Sequence, residues 1–303
     1  MLINMKTPIF TGSGTAIVTP FRKDDVLKVD FDKFAELLDF QVNGGTACVV
    51  VCGTTGENAT QTIDEHMATV DFATKYIAGR TKVVAGVGSN DTMTALEIGV
   101  AAKASGVDGI MMVTPYYNKA TQTGLVKHFT YVADRLDLPM IMYNVPGRTS
   151  VNMTADTYKI LSQHPNINGI KEASADVTLF GTTRALVGDD LFIWSGNDDN
   201  TVPFMVLGAV GVISVASNIV PDVISQMCQF ALDGDFASAA AMHLKYMDLF
   251  NKLFIEVNPM PVKTALNLMG MDVGEMRLPL CEMAPANIEK LRQSMIAVGM
   301  TAV

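Results

Sequence analysis

Residues that build metal sites and disulfide frameworks are scarce in this chain. The four cysteines, Cys48, Cys52, Cys228 and Cys281, show no CxxC spacing, and the four histidines stand singly. Structural zinc sites are typically built from Cys and His ligands at short, regular spacing. The sequence therefore predicts no metal site, and we expect the cysteines to be reduced residues of the core.

Charged residues are also few, and their balance is acidic. They make up 17% of the 303 residues, below the roughly 25% of an average soluble domain, whereas hydrophobic residues make up 49%. The formal net charge of −9 creates a field that repels nucleic-acid phosphates and anionic membrane surfaces. We therefore expect no nucleic-acid partner, and the low charge favours a surface partly covered by other subunits.

One hydrophobic run is long enough to cross a bilayer, but it is interrupted. Segment 201–221 contains no charged residue, yet Gly208, Gly211, Ser217 and Asn218 break its apolar character. This pattern predicts the end of a helix followed by a buried strand, and no membrane span. The N-terminal sequence MLINMKTPIF lacks the features of a secretory signal, so a cytoplasmic location is expected.

Short, continuous apolar runs recur along the chain, as is typical of buried parallel strands. Eight such runs occupy residues 14–20, 47–53, 82–88, 109–115, 139–145, 167–174, 192–197 and 211–217. Helical patterns separate them: Phe34, Leu37 and Leu38 follow a candidate N-cap at Asp30, and residues 62–65 have the pattern of a capping box. Strand and helix thus alternate through most of the chain.

Eight strand–helix units favour an α/β fold of the (β/α)8 TIM-barrel type over a doubly wound sheet. The GxGxxG signature expected of a dinucleotide-binding sheet is absent. We predict a barrel over residues 1–230 that carries the active site, and a C-terminal helical region over 231–303. Candidate helices of this extension are 231–254, 260–269 and 285–298.

Reactive residues of such barrels lie at the carboxyl ends of the strands. Lys171 lies in the sixth apolar run, where an amine that faces the barrel loses hydration and its pKa falls from about 10.4 toward neutrality. A neutral amine can attack a carbonyl and form a Schiff base. The alternative is a solvated lysine, or one paired with Glu172, and spacing alone favours that alternative.

Polar groups at neighbouring strand ends favour the reactive role of Lys171 over the solvated or paired one. Gly53, Thr54 and Thr55 form a turn whose hydroxyl and N–H groups can hold a small carboxylate, although an ordinary Gly/Thr turn fits equally well. Tyr143, which can donate and accept a proton, ends the fifth run, and Arg148 follows it in a Pro-Gly turn. The simpler explanations are an aromatic cap on the core and a surface arginine. Taken together, these residues indicate a lysine-dependent aldolase or lyase that acts on small carboxylates.

Five sequence motifs at these strand ends are more specific. They are GTTGE at 53–57, TPYYN at 114–118, YNVPGRT at 143–149, GIKEAS at 169–174 and SGND at 195–198. Together they resemble the dihydrodipicolinate synthase family, within the pyruvate-dependent class I aldolase superfamily. The resemblance implies a lyase that condenses pyruvate with aspartate 4-semialdehyde to 4-hydroxy-tetrahydrodipicolinate, in lysine and diaminopimelate biosynthesis. It also implies a covalent Schiff base in place of any dissociable cofactor.

The same resemblance implies a role for each candidate residue. Lys171 would form the Schiff base with pyruvate, while Gly53 and Thr55 would hold the pyruvate carboxylate. Thr54, Tyr143 and Tyr117 would form a proton relay, with Tyr117 supplied by the neighbouring subunit of a homotetramer built from two tight dimers. Arg148 would bind the carboxylate of the second substrate, and the main-chain carbonyl of Ile213 would face the active site.

Two alternative functions share part of this pattern. A sister aldolase, such as N-acetylneuraminate lyase or a keto-deoxy-sugar-acid aldolase, resembles the chain around the GTTGE turn and the lysine, but generally lacks the Gly-Arg-Thr sequence that includes Arg148. A non-catalytic barrel that only binds a keto acid would lack one of Lys171, Tyr143 and Thr54, and all three are present.

The resemblance further implies a pocket for feedback by lysine at the dimer interface. The corresponding positions are Asn58, Ala59, Gln61, Ile63, His66, Asn90, Thr94 and Tyr116. Lysine-sensitive relatives typically have a glutamate at the position of Thr94 and a histidine at that of Ile63. We therefore expect weak or absent inhibition by lysine.

Overall fold

The eight predicted strands form a closed barrel in the computed structural model, which describes residues 6–302. The strands are β1 (Gly12–Ala16), β2 (Cys48–Val51), β3 (Lys82–Gly86), β4 (Gly109–Val113), β5 (Met140–Asn144), β6 (Ile167–Glu172), β7 (Phe192–Ser195) and β8 (Gly211–Ser214). Each pairs in parallel with the next strand in the chain, and β8 pairs with β1. The predicted (β/α)8 fold is confirmed. Half of the N-terminal segment predicted not to be a signal, residues 1–5, lies outside the described residues.

Helices follow the strands around the barrel and continue beyond it. Those described are α1 (Phe31–Asn43), α2 (Ile63–Ile77), α3 (Thr92–Ala104), α4 (Gln122–Leu136), α5 (Pro146–Thr149), α6 (Ala155–Leu161), α7 (Val177–Val187), α8 (Thr201–Val206), α9 (Pro221–Leu232), α10 (Phe236–Lys252), α11 (Met260–Leu268) and α12 (Pro285–Ala297). Helices α10 to α12 form the predicted C-terminal extension. The division into a barrel domain and a helical region at residues 230 and 231 stays a prediction.

The first residues of α1 and α2 test the two helix-capping patterns predicted from the sequence. The Asp30 side chain accepts a hydrogen bond from the Lys33 N–H at 2.9 Å, so the predicted N-cap of α1 is confirmed. Thr62 likewise accepts from the Glu65 N–H at 3.2 Å. The capping box is only half formed, however, because the Glu65 carboxylate binds Arg277 instead of returning to Thr62.

Two predicted boundaries are wrong. The predicted helix 231–254 is broken, because α9 ends at Leu232 and α10 begins only at Phe236. Gly234, at φ +83° in the left-handed region, makes the turn, and Asp235 caps α10 by accepting from the Ser238 N–H. The first strand covers Gly12–Ala16, so it starts before the predicted run 14–20 and stops short of its end.

Strand side chains alternate between two apolar layers, as the two-residue period of a strand requires. On β5, Ile141 and Tyr143 point into the barrel, whereas Met140 and Met142 join the layer between the barrel and its helices. The same alternation puts Met111 of β4 inside the barrel. The strand methionines are therefore core residues, as predicted.

Gly169 on β6 leaves space inside the barrel for a large ring. A Cβ atom at this position would lie 2.5 Å from Cζ3 of Trp194 and 2.3 Å from the carbonyl oxygen of Phe192. Any side chain there would displace Trp194, which is completely buried. The glycine of the GIKEAS motif thus serves barrel packing two residues before Lys171.

The prediction that the cysteines are reduced core residues is confirmed for three of the four. Cys48, Cys52 and Cys228 are free and buried, as expected, but Cys281 is exposed and is not a core residue.

Segment 201–221 forms the short helix α8, a turn and the buried strand β8, as predicted. None of the helices described is long and apolar enough to cross a membrane.

Candidate active site

Lys171 and Tyr143 face each other across the paired strands β5 and β6. The two residues are register partners, and the Lys171 ammonium nitrogen lies 4.5 Å from the centroid of the Tyr143 ring. Lys171 is only 4% exposed and Tyr143 only 7% exposed. The alternation of the strands therefore places the predicted nucleophile and the predicted proton-transfer group together inside the barrel.

Burial shifts both groups toward their neutral forms. Loss of hydration lowers the pKa of Lys171 to about 8, with the Asp198 carboxylate raising it in part and Arg148 lowering it further. Burial raises the pKa of Tyr143 to about 12, an effect that Arg148 opposes and Glu172 reinforces. A neutral amine near physiological pH is what nucleophilic attack on a carbonyl requires.

Glu172, the alternative partner of Lys171, points away from it. Its carboxylate accepts hydrogen bonds from the Tyr158 hydroxyl at 2.8 Å, the Asn144 amide at 3.0 Å and the Ser174 N–H at 2.8 Å. Within residues 6–302, Lys171 forms no ion pair with any carboxylate. The simple salt-bridge explanation for Lys171 is therefore wrong, because adjacent residues of a strand face opposite sides.

A cavity of about 510 Å³ opens at this end of the barrel. Gly53, Thr54, Tyr143 and Arg148 line it, as do seven of the eight residues predicted for lysine feedback, six of which are Asn58, Ala59, Gln61, Ile63, His66 and Thr94. Tyr116 also contributes to its wall. In the single chain, Thr54, Tyr143 and Arg148 thus share one continuous space with most of the candidate regulatory residues.

Two predicted carboxylate-binding residues are linked through a residue that the sequence did not indicate. The Asn258 amide donates to the Thr55 hydroxyl oxygen at 2.9 Å, and the Asn258 carbonyl accepts from Arg148 Nη2 at 3.2 Å. Thr55 and Asn258 are 2% and 5% exposed, whereas Arg148 reaches solvent. Asn258 lies between α10 and α11, so the C-terminal extension contributes directly to the site.

The turn after β2 is anchored by a buried ion pair. Glu57, which ends the GTTGE motif, accepts from Lys263 Nζ at 2.8 Å and from the Arg277 N–H at 3.0 Å. The Glu57 and Lys263 side chains are 1% and 0% exposed. A charge pair of this kind is retained only where hydrogen bonds satisfy both partners, and here it fixes the position of Thr54 and Thr55.

Asp198 holds the end of β8 beside Lys171. Its buried carboxylate accepts from the Ser214 hydroxyl and from the N–H groups of Val215 and Ala216. Burial raises the pKa of Asp198, and these hydrogen bonds lower it in part. The Ile213 side chain is buried in the barrel interior; the role of its carbonyl stays a prediction.

Five predicted site residues are not part of the cavity wall: Thr55, Asn90, Tyr117, Lys171 and Ile213. Tyr117 is 91% exposed, with φ at +74°, and lies outside the cavity wall. The Asn90 carbonyl accepts from the Asn118 amide, and Asn90 is not part of the wall either. Thr94 does line the cavity, but its hydroxyl donates to Asp91 in the cap of α3.

No ligand set for a metal is formed by the residues that the structure describes. Groups of three or more His, Cys, Asp or Glu side chains with the proximity of metal ligands are not found between residues 6 and 302. His66, the histidine of the cavity wall, bonds the Gly86 carbonyl oxygen through Nε2 at 2.8 Å. The absence of a metal from the reaction stays a prediction.

Comparison with known families decides among the alternatives of the pyruvate-aldolase type. The model of the dihydrodipicolinate synthetase family matches residues 9–297. The chain belongs to this family. The matched residues include the part of the C-terminal extension that carries Asn258 and Lys263.

Individual members of the family are similar over nearly their whole length. A 4-hydroxy-tetrahydrodipicolinate synthase of Thermoanaerobacter sp. (strain X514) is 47% identical over 294 residues, which cover 97% of this chain and 98% of that protein. The dihydrodipicolinate synthase structure from Aquifex aeolicus is 44% identical with a TM-score of 0.93, covering 97% and 99% of the two chains. A family structure from Cyanidioschyzon merolae with lysine bound is 40% identical, again with a TM-score of 0.93 and coverage of 97% and 99%.

Proposed function

We propose that Lys171 carries the condensation reaction of this family. The chain is a lyase, a 4-hydroxy-tetrahydrodipicolinate synthase, which condenses pyruvate with aspartate 4-semialdehyde in lysine and diaminopimelate biosynthesis. The observation that supports the role of Lys171 is its burial against Tyr143, with a pKa lowered to about 8. Its neutral amine attacks the keto carbon of pyruvate, water leaves, and an iminium forms.

The proposed role of Tyr143 follows from its raised pKa. A phenol with a pKa of about 12 stays protonated, so it accepts a proton only while it passes its own proton on. Thr54, in the same cavity wall, is the proposed next member of that relay, and Tyr117 of the neighbouring subunit is the third. The relay removes a methyl proton from the iminium, and the resulting enamine attacks the aldehyde of the second substrate.

Two groups are proposed to recognise the substrate carboxylates. Gly53 and Thr55 belong to the turn that presents N–H groups and a hydroxyl to the carboxylate of pyruvate. Arg148, at the solvent side of the cavity, supplies a planar pair of donors for the carboxylate of aspartate 4-semialdehyde. The Ile213 carbonyl is proposed to face the reacting atoms.

The covalent iminium supplies the electron sink, so we infer that no dissociable cofactor takes part. A homotetramer of two tight dimers is also proposed. The exposure of Tyr117 supports this assembly, since a tyrosine that is 91% exposed in one chain is available to complete a neighbouring site. Sedimentation that gives a fully active monomer of 32.6 kDa would contradict the shared site. The cytoplasmic location and the lack of nucleic-acid partners stay predictions.

Substrate competition tests the proposed specificity. We expect kcat/KM, measured with pyruvate at saturation, to be far higher for aspartate 4-semialdehyde than for a polyhydroxylated sugar aldehyde. The reason is that the sugar aldehyde has no carboxylate to pair with Arg148. A preference for the sugar aldehyde would instead support a sister aldolase.

A further inference from the structure

Asn258 connects the two carboxylate-recognising residues although it belongs to neither motif. It lies in the turn between α10 and α11, 203 positions from Thr55 and 110 positions from Arg148. Its side chain bonds the first residue and its main chain bonds the second. One buried residue of the C-terminal extension thereby contacts both proposed substrate-binding groups.

The bond between Asn258 and Thr55 has a fixed direction. An amide nitrogen only donates, so the Thr55 oxygen is the acceptor of the 2.9 Å bond. A threonine hydroxyl has one proton, and the Thr55 hydroxyl donates to no atom of residues 6–302. That proton is therefore available to a carboxylate held by the GTTGE turn.

The amide oxygen of Asn258 argues against a purely structural role. It is buried and accepts no hydrogen bond from the described part of the chain. Buried polar atoms are nearly always hydrogen-bonded, and an exception in a native fold calls for an explanation. Folding stability alone would favour a side chain at this position without an unsatisfied acceptor.

We propose that Asn258 is a positioning residue that makes the Thr55 hydroxyl a hydrogen-bond donor to the carboxylate of pyruvate and holds Arg148 through its main-chain carbonyl. This inference rests on the proposed function, because it takes Thr55 as the pyruvate-binding residue. It extends that function by assigning to the C-terminal region the orientation of the first substrate.

The substitution Asn258→Asp tests the direction of the bond. An ionised aspartate has nearly the same shape but only accepts, so it captures the Thr55 proton and adds a negative charge near the substrate carboxylate. We expect KM for pyruvate to rise about 10- to 100-fold, the range for losing a hydrogen bond to a charged group. KM for aspartate 4-semialdehyde should change much less, because the carbonyl that bonds Arg148 remains. The matched control is Asn251→Asp, an exposed asparagine of α10, which should leave both KM values unchanged.

Two further measurements separate positioning from general damage. The ratio of the pyruvate KM values of Asn258→Asp and wild type should fall as the pH is lowered, since a protonated carboxyl no longer competes for the Thr55 proton. In a double-mutant cycle, Asn258→Ala should raise the pyruvate KM in the wild-type background and have little effect after Thr55→Val. A pyruvate KM within twofold of wild type for Asn258→Asp, or additive effects in the cycle, would overturn the proposal.

Failure of this inference is distinguishable from failure of the proposed function. Borohydride trapping of pyruvate on wild-type Lys171 depends on the Schiff base and not on Asn258. Trapping on Lys171 together with unchanged KM values in the Asn258 variants rejects the positioning role alone. Trapping on another lysine rejects the proposed function itself.

Discussion

Removing the charge of Lys263 should strongly destabilise the enzyme. The Lys263 ammonium and the Glu57 carboxylate are almost fully buried and lie 2.8 Å apart, and Lys263 Nζ also bonds the Glu275 carbonyl at 2.7 Å. Lys263→Met keeps most of the aliphatic volume but leaves the Glu57 charge with one donor, the Arg277 N–H. Breaking one side of a buried pair typically costs about 3–5 kcal/mol. Because that donor remains, we expect a loss near the lower end, about 3 kcal/mol.

Urea unfolding followed by tryptophan fluorescence measures this loss. Trp194 is the only tryptophan and is completely buried in the barrel, so its emission reports opening of the core. The control is Lys75→Met on α2, which breaks the exposed pair with Asp71 and should cost no more than about 0.5 kcal/mol. All variants are compared at one protein concentration, since assembly also contributes to apparent stability.

A charge-neutral double variant tests the physical cause. Lys263→Met combined with Glu57→Gln removes both charges, and the glutamine can still accept from the Arg277 N–H. The double variant should therefore be more stable than Lys263→Met alone. A loss below about 1 kcal/mol in Lys263→Met, well under the range for a broken buried pair, would show that the pair is not buried as described. A double variant that is no more stable than the single one would show the same.

Four further predictions concern the reaction. Tyr143→Phe keeps the ring beside Lys171 but removes the relay hydroxyl, so turnover in a coupled assay should fall by about 10²- to 10⁴-fold; a loss within a factor of about three would remove Tyr143 from the mechanism. Because burial lowers the pKa of Lys171 to about 8, the rate of borohydride trapping should rise with pH and level off above pH 8. An inflection near the ordinary lysine pKa of about 10.4 would instead show that the Lys171 amine is solvated. Arg148→Ala should still form the Schiff base, but kcat/KM for aspartate 4-semialdehyde should fall about 10- to 100-fold as a charge-assisted bond is lost; an unchanged value would show that Arg148 does not bind this substrate. Lysine should inhibit weakly or not at all, because Thr94 and Ile63 offer no charge to an ammonium group, and half-maximal inhibition at sub-millimolar lysine would contradict this.

The barrel and its central pair of residues were predictable from local sequence. Continuous apolar runs specify strands that are buried on both faces, and a lysine within such a run can only be desolvated or paired. The two-residue period places Lys171 and Tyr143 on the inner face once the strands are paired in register. Spacing alone could not decide whether Lys171 pairs with Glu172. The direction of the Glu172 side chain depends on its hydrogen bonds with Tyr158 and Asn144.

Contacts over long sequence distances were not predictable. Asn258 carries no local signal, since its partners lie in the turn after β2 and in α5 after β5, and only the closed barrel brings these near the C-terminal extension. The capture of Glu65 by Arg277 is a similar case, in which a distant cation replaced the local capping bond. The break between α9 and α10 did carry a signal, because Asp233, Gly234 and Asp235 are typical turn and cap residues.

Covalent trapping of the Schiff base tests the role of Lys171 as the nucleophile most directly. The enzyme is incubated with pyruvate, reduced with borohydride, digested and mapped by mass spectrometry, with Lys263→Met and Lys171→Met treated in parallel. We expect one reduced pyruvyl group on Lys171 in the wild-type enzyme and in folded Lys263→Met, and none in Lys171→Met. Modification of any other lysine in the wild-type enzyme, or undiminished labelling of Lys171→Met, would contradict the assignment of Lys171 as the nucleophile.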